Sequence, residues 1–130
     1  MKKIIIILLI LISGICSFSQ NPIKLITYKN STGNWSELDK KYMYDDYVYS
    51  TITFSFYDTY IGVNDKNNSI YRITENLEKI IDNNSETVRC KAMDESNKNC
   101  LIYLTSFKDC NHSTITIFYP QSSFFYIIDK

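Results

Sequence analysis

The chain has 130 residues, with 14 basic and 14 acidic side chains and no net formal charge. That is one small domain's worth of residues. With no basic patch, the sequence lacks the phosphate-driven electrostatics of a nucleic-acid binder.

The first twenty residues read as an export leader. Met1-Lys2-Lys3 is a positive start, Ile4 to Ile12 is an unbroken apolar run, and small residues follow from Ser13 to Gln20. This is the layout of a secretory signal peptide, with Ser17 and Ser19 in the small-residue subsites and a cut after Ser19. The apolar run is too short for a membrane span, which needs about 20 residues. Cys16 offers a lipidation alternative, but Ile15 stands where a lipobox wants a small residue. The expected organisation is therefore a signal peptide over 1–19 and a single domain over 20–130, periplasmic or secreted. Removing Lys2 and Lys3 leaves 12 basic against 14 acidic residues, a formal charge of −2. No later apolar run is long enough to give the mature chain a stable membrane span.

Downstream, the pattern is short alternating stretches with turn punctuation. Ile23 to Tyr28 predicts a first strand, Asn30-Ser31-Thr32-Gly33 a turn, and Trp35 the start of a second element. Tyr42, Tyr44, Tyr47 and Tyr49 form an aromatic strand region whose alternation slips at Asp45-Asp46, which predicts a bulge or turn. In Ser50–Tyr57, Ile52, Phe54 and Phe56 share a face. Tyr60–Val63 and Ile70–Ile73 flank Asp65-Lys66-Asn67-Asn68 as a hairpin, with Ile61 expected opposite Ile73 and Val63 opposite Tyr71. Residues 76–82 fit either a short strand or a helical stripe, and their context favours the strand. Val88, Cys90 and Ala92 share a face, then Cys100, Ile102 and Leu104 after the Asp94–Asn97 turn. Ile115, Ile117 and Tyr119 follow, then Phe124, Tyr126 and Ile128 beyond the Pro120–Ser123 turn.

Seven to nine consecutive strands with short connections predict an all-β antiparallel meander, closed as a barrel or folded as a sandwich so that few edges stay exposed. Without long intervening helices, a parallel α/β sheet is excluded. The expected buried set is Ile52, Phe54, Ile61, Val63, Tyr71, Val88, Ala92, Ile102, Leu104, Ile115, Ile117, Tyr126 and Ile128.

Little in the sequence carries chemistry. Asp109-Cys110-Asn111-His112-Ser113 holds the single histidine beside a thiol, but residues two apart in a turn rarely aim at one another, and no oxyanion-hole motif is near. The cysteines lack the close C-x₂₋₄-C pair of a zinc site, and Asp65-x-Asn67-Asn68 lacks the glycine and glutamate of a calcium loop. No metal or cofactor is expected. Cys90 and Cys100 flank a turn on one face of adjacent strands. They are read either as a cross-strand disulfide or, one diagonal step out of register, as two buried thiols, with Cys110 standing apart. The candidate ligand face is Trp35, Tyr42, Tyr44, Tyr47 and Tyr49, rings with polar tips and with Asp45 and Asp46 as hydrogen-bonding partners.

Two resemblances bear on the fold. The leader ending Ser17-Phe18-Ser19-Gln20 resembles those of exported Bacteroidetes proteins. The pattern Gly33-x-Trp35, Ile52-x-Phe54, Val63-x-Asp65, Ser69-x-Tyr71 and Ala92-x-Asp94 up to Cys100 resembles small secreted β proteins of that group. Gly33-Asn34-Trp35 is also similar to the G-x-W of lipocalins, in which the Trp closes one barrel end, and this implies a closed barrel. Neither resemblance transfers a functional residue. The expectation is a non-enzymatic exported binding module for a small apolar or glycan-like ligand. The alternatives are a protein-interaction or envelope-structural module with an envelope partner and, third, a hydrolase.

Overall fold

The computed structural model describes residues 22–129, so the leader and its cleavage site lie outside the described residues. Ten strands are present among them: β1 (Ile23–Ser36), β2 (Lys41–Tyr44), β3 (Val48–Phe56), β4 (Tyr60–Val63), β5 (Ser69–Asn76), β6 (Ile80–Ile81), β7 (Ser85–Met93), β8 (Asn99–Phe107), β9 (His112–Phe118) and β10 (Ser122–Asp129). All but β2 and β6 close into one antiparallel barrel, β1-β3-β4-β5-β7-β8-β9-β10, with β10 returning to β1. The choice between barrel and sandwich is thereby resolved. No helix among the described residues is long and apolar enough to cross a membrane.

Period-two alternation explains the closure. Phe54 and Phe56, Ile61 and Val63, Ile102 and Leu104, and Ile115 and Ile117 all turn inward and are buried. Every member of the expected buried set is buried except Ile52, which is half-buried, and Leu25 joins the cluster from β1. Phe54, Phe56, Ile61, Ile115 and Ile117 are essentially inaccessible, so side chains fill the barrel. An eight-stranded barrel is just narrow enough for that.

Four expectations need correction or refinement. The turn expected at Asn30–Gly33 is strand. Residues Thr27 to Asn34 pair with β10 on one side, while β3 and then β2 pair on the other, and two ladders hold the segment extended. The chain turns instead after Ser36, whose carbonyl accepts from Lys40 N at 2.8 Å, with Lys40 in the left-handed region at φ 54°. The expected break at Asp45-Asp46 is present, between β2 and β3.

The β4–β5 hairpin is offset by two residues from expectation, with Ile61 opposite Tyr71 and Val63 opposite Ser69. Asp65 sets this register. Its Oδ1 accepts from Asn67 N at 3.0 Å and Ser69 N at 3.2 Å, and Asn68 takes φ 50°. A two-residue slip keeps every side chain on its face, so alternation alone cannot detect it.

The segment 76–82 contains no helix. β5 ends at Asn76, and the two-residue β6 then pairs with Glu86 and Thr87 of β7.

The Cys90–Cys100 disulfide is not formed. Cys90 stands opposite Ile102 and Cys100 opposite Ala92, which makes the two thiols diagonal and buried. Diagonal neighbours lie about 7–8 Å apart, beyond the ~3.8 Å Cβ separation of a disulfide. Cys110 is exposed on the β8–β9 turn, at the opposite end of β8 from Cys100.

Candidate functional site

Three turns, β4–β5, β7–β8 and β9–β10, meet at one end of the barrel. There a cavity of about 560 Å³ opens to solvent between Asp65, Tyr71, Asp94, Lys98, Tyr119, Gln121, Phe124 and Tyr126. Tyr71, near the start of β5, and Tyr126, midway along β10, are inward-facing strand residues and are largely buried. The Tyr126 ring meets Phe54 edge-on at 4.8 Å and so forms the floor above the filled core. Tyr119 follows β9 and crosses Phe124 edge-on at 6.1 Å. Aromatic rings with polar tips thus line a pit that apolar side chains close below.

The two carboxylates are placed by matching turns. Asp65 ties the β4–β5 turn as above, and both its oxygens accept from Ser69 Oγ, at 3.2 and 2.9 Å. Asp94 Oδ1 accepts from Ser96 N and Lys98 N, each at 2.9 Å, with Asn97 at φ 63°. Its other oxygen accepts from Tyr119 Oη at 2.8 Å. Desolvation opposes ionisation of Asp94. The bonds from Lys98 N, Tyr119 Oη and Ser96 N, with the Lys98 charge, outweigh it and hold the carboxyl below its usual range. Burial pushes the Tyr71 phenol up to about 12 and raises Tyr119 and Tyr126 as well. At neutral pH the mouth therefore presents neutral phenols beside an ionised carboxylate.

The five residues expected to form a ligand face do not converge. Trp35 and Tyr42 are paired across β1 and β2, edge-on at 5.1 Å, on the outer wall. Trp35 Nε1 donates to Glu37 Oε1 at 3.0 Å. The Tyr42 ring continues to Phe118 at 5.5 Å, and its hydroxyl donates to the Tyr119 carbonyl. Tyr44 lies over Gly33, with its hydroxyl 2.9 Å from Ser123 Oγ. Tyr47 and Tyr49 are exposed around Lys29, whose Nζ stands 4.5 and 5.8 Å from their ring centroids. Of the five, Tyr42 lines a cavity, an outer depression of about 510 Å³ that adjoins the mouth through Tyr119 and Pro120. Asp45 and Asp46 are exposed in the break between β2 and β3.

The Cys110–His112 segment is the β8–β9 turn at the far end of the barrel. Cys110 Sγ donates to the His112 carbonyl oxygen at 3.6 Å, while His112 Nδ1 lies 3.4 Å from Tyr28 Oη. Among the described residues no group of three or more His, Cys, Asp or Glu is arranged to hold a metal ion.

Sequence reasoning missed the mouth because its members come from separate segments and each has an ordinary local explanation. Tyr71 and Tyr126 read as core, and Asp65 and Asp94 as turn formers. The usable signal was Tyr71, on the buried face three positions beyond the Asp65–Asn68 turn, since a buried phenol needs a polar neighbour. Compared with family models, curated proteins and solved structures, the chain matches none.

Proposed function

We propose that this protein is an exported, non-enzymatic β-barrel module that holds a small, glycan-like ligand in the barrel mouth. The observation that carries this reading is the ring-lined pit of about 560 Å³ at the meeting of three turns. Small-ligand sites are commonly concave, apolar-walled and supplied with a few convergent polar groups, and the mouths of barrels are a preferred place for them. Tyr119 and Tyr126 supply stacking faces, and Asp94, Gln121 and the phenols supply hydrogen-bonding partners. The filled interior leaves an apolar ligand no room, so the glycan-like alternative is preferred. Export rests on the leader.

Native mass spectrometry of the protein recovered from the cells that make it tests the reading. The expected result is a retained small-molecule adduct that Tyr119→Ala loses while staying folded. Protein recovered without any adduct, and with no mouth resonance perturbed by a soluble glycan library, overturns it.

A specific observation favours one further reading. Ile26 on β1, Val48 and Tyr49 on the adjacent β3, and Tyr47 just before β3 are large and exposed. Residues 48–52 of β3 pair with β1, whereas β4 reaches β3 only at Phe54–Phe56. An open strand edge beside exposed rings suits strand addition by a partner protein. Co-purification of a partner that Tyr49→Lys abolishes supports this interaction module over the ligand binder.

A further inference from the structure

The two mouth carboxylates are held by neutral donors. Asp65 is bonded to the Asn67 and Ser69 amides and the Ser69 hydroxyl, and Asp94 to the Ser96 and Lys98 amides and the Tyr119 hydroxyl. Neither takes part in any of the ion pairs among the described residues, which join Lys40–Glu37, Lys79–Glu86 and Lys91–Glu75. The Lys98 ammonium, at the rim, is the lone cationic group lining the cavity. Two acidic side chains therefore face an aromatic-lined pit with a single, unpaired counter-charge nearby.

We propose that the ligand of the mouth carries a positively charged amine, which sits among the tyrosine rings with Asp94 and Asp65 as its counter-ions. This deepens the barrel-mouth reading and rests on it. Ring faces attract cations electrostatically, more so where water is partly excluded. A carboxylate already oriented by neutral donors keeps its charge and is preorganised to receive an ammonium. The field of these carboxylates reaches the pit. After burial, Asp65 and Asp94 add to the suppression of Tyr71 ionisation, and Asp94 to that of Tyr119. The same field that disfavours a phenolate favours a cation. An amino sugar satisfies both the charge and the polar, ring-lined wall, and its N-acetylated form has the same skeleton without the charge.

Titrations followed by two-dimensional NMR test this with glucosamine, N-acetylglucosamine and choline on the purified protein. The expected result is that glucosamine and choline perturb Tyr71, Tyr119 and Tyr126 at least tenfold more tightly than N-acetylglucosamine does. Added salt should weaken the amine binding. Asp94→Asn should reduce amine affinity about tenfold or more. Because that variant also loosens its turn, Lys98→Gln is the second arm. It keeps the backbone amide that bonds Asp94 and should tighten amine binding severalfold, an effect no structural role of Lys98 produces. Equal binding of charged and acetylated sugars, or binding of the acetylated form alone, overturns the cationic ligand and leaves the barrel-mouth reading standing. No perturbation of the mouth by any of the three probes overturns the cationic ligand, and silence from the glycan library as well removes the mouth reading with it.

Discussion

Gly33 lacks a side chain for a reason found on the neighbouring strand. A Cβ built there would lie 2.7 Å from Tyr44 Cε1 and 2.8 Å from Cδ1, well inside contact distance. The Tyr44 ring must therefore move if Gly33 becomes alanine, and the Tyr44–Ser123 hydroxyl contact at 2.9 Å goes with it. Gly33→Ala is expected to destabilise by about 1–3 kcal/mol, the usual cost of overpacking. In a Tyr44→Ala background the same change should cost a few tenths of a kcal/mol or become favourable, since alanine is the better strand residue. Urea denaturation of the four proteins gives the coupling, and additive effects would show that Tyr44 is not the obstacle. The two interior cysteines yield a second residue-scale expectation. Burial pushes the Cys90 thiol from 9.0 up to about 12 and Cys100 up to about 11. A raised value in the fold means stability that is complete below the ordinary thiol range and lost as pH climbs through the folded values. Stability should therefore fall more steeply between about pH 9 and 12 in the wild type than in Cys90→Ala. In a Cys110→Ser background, neither Cys90 nor Cys100 should react with iodoacetamide until the protein unfolds.

At the scale of elements, turns decide what alternation leaves open. The β7–β8 turn is organised by Asp94, whose three accepted hydrogen bonds fix the five-residue connection between Met93 and Asn99. Asp94→Ala should cost about 1–2 kcal/mol at neutral pH, from those bonds. Because the folded carboxyl titrates below its usual value, this stabilisation is present above about pH 4 and is lost as pH falls through the folded value. The gap between wild type and variant should close in acid, and a pH-independent gap would remove the carboxylate from the explanation. The same turn shows what was legible in the sequence. Val88, Cys90 and Ala92 could be assigned to the inner face from spacing alone, as could Ile102, Leu104, Ile115 and Ile117. The register could not, because Cys90 opposite Cys100 and Cys90 opposite Ile102 put identical faces inward. Only the capping chemistry of Asp94 distinguishes them. Likewise Asn30-Ser31-Thr32-Gly33 has turn composition, and its local preference loses to ladders from β10 on one side and from β2 and β3 on the other. The candidate site suffered most. Tyr42 to Tyr49 are close in sequence but face different surroundings, whereas Asp65, Asp94, Tyr119 and Tyr126 are distant in sequence and meet only once the barrel closes.

For the whole molecule, closure depends on β1 and β10, which join opposite ends of the described chain through Thr27–Ile128 to Asn34–Ser122. Such long-range pairing slows folding toward the millisecond-to-second range typical of small β barrels. Closure also determines what the barrel can hold. Phe54 is fully buried, stacked at 6.4 Å from Phe56 and edge-on to Tyr126 at 4.8 Å. It therefore plugs the space that a hollow barrel of this strand number would offer to an apolar ligand. Phe54→Ala should cost about 3–5 kcal/mol, the transfer term plus the void left behind. That void, on the order of 100 Å³ and bordered by Leu25, Val63, Phe56 and the Tyr126 ring, should stay dry and accept benzene. Two melting curves then decide whether the core is filled. Benzene should raise the Tm of Phe54→Ala and leave the wild type unchanged, because ligand binding stabilises only the protein that has somewhere to put it. A wild-type protein stabilised by benzene or by a long-chain fatty acid would mean the interior opens to apolar molecules, and the ligand site would then move from the mouth into the barrel.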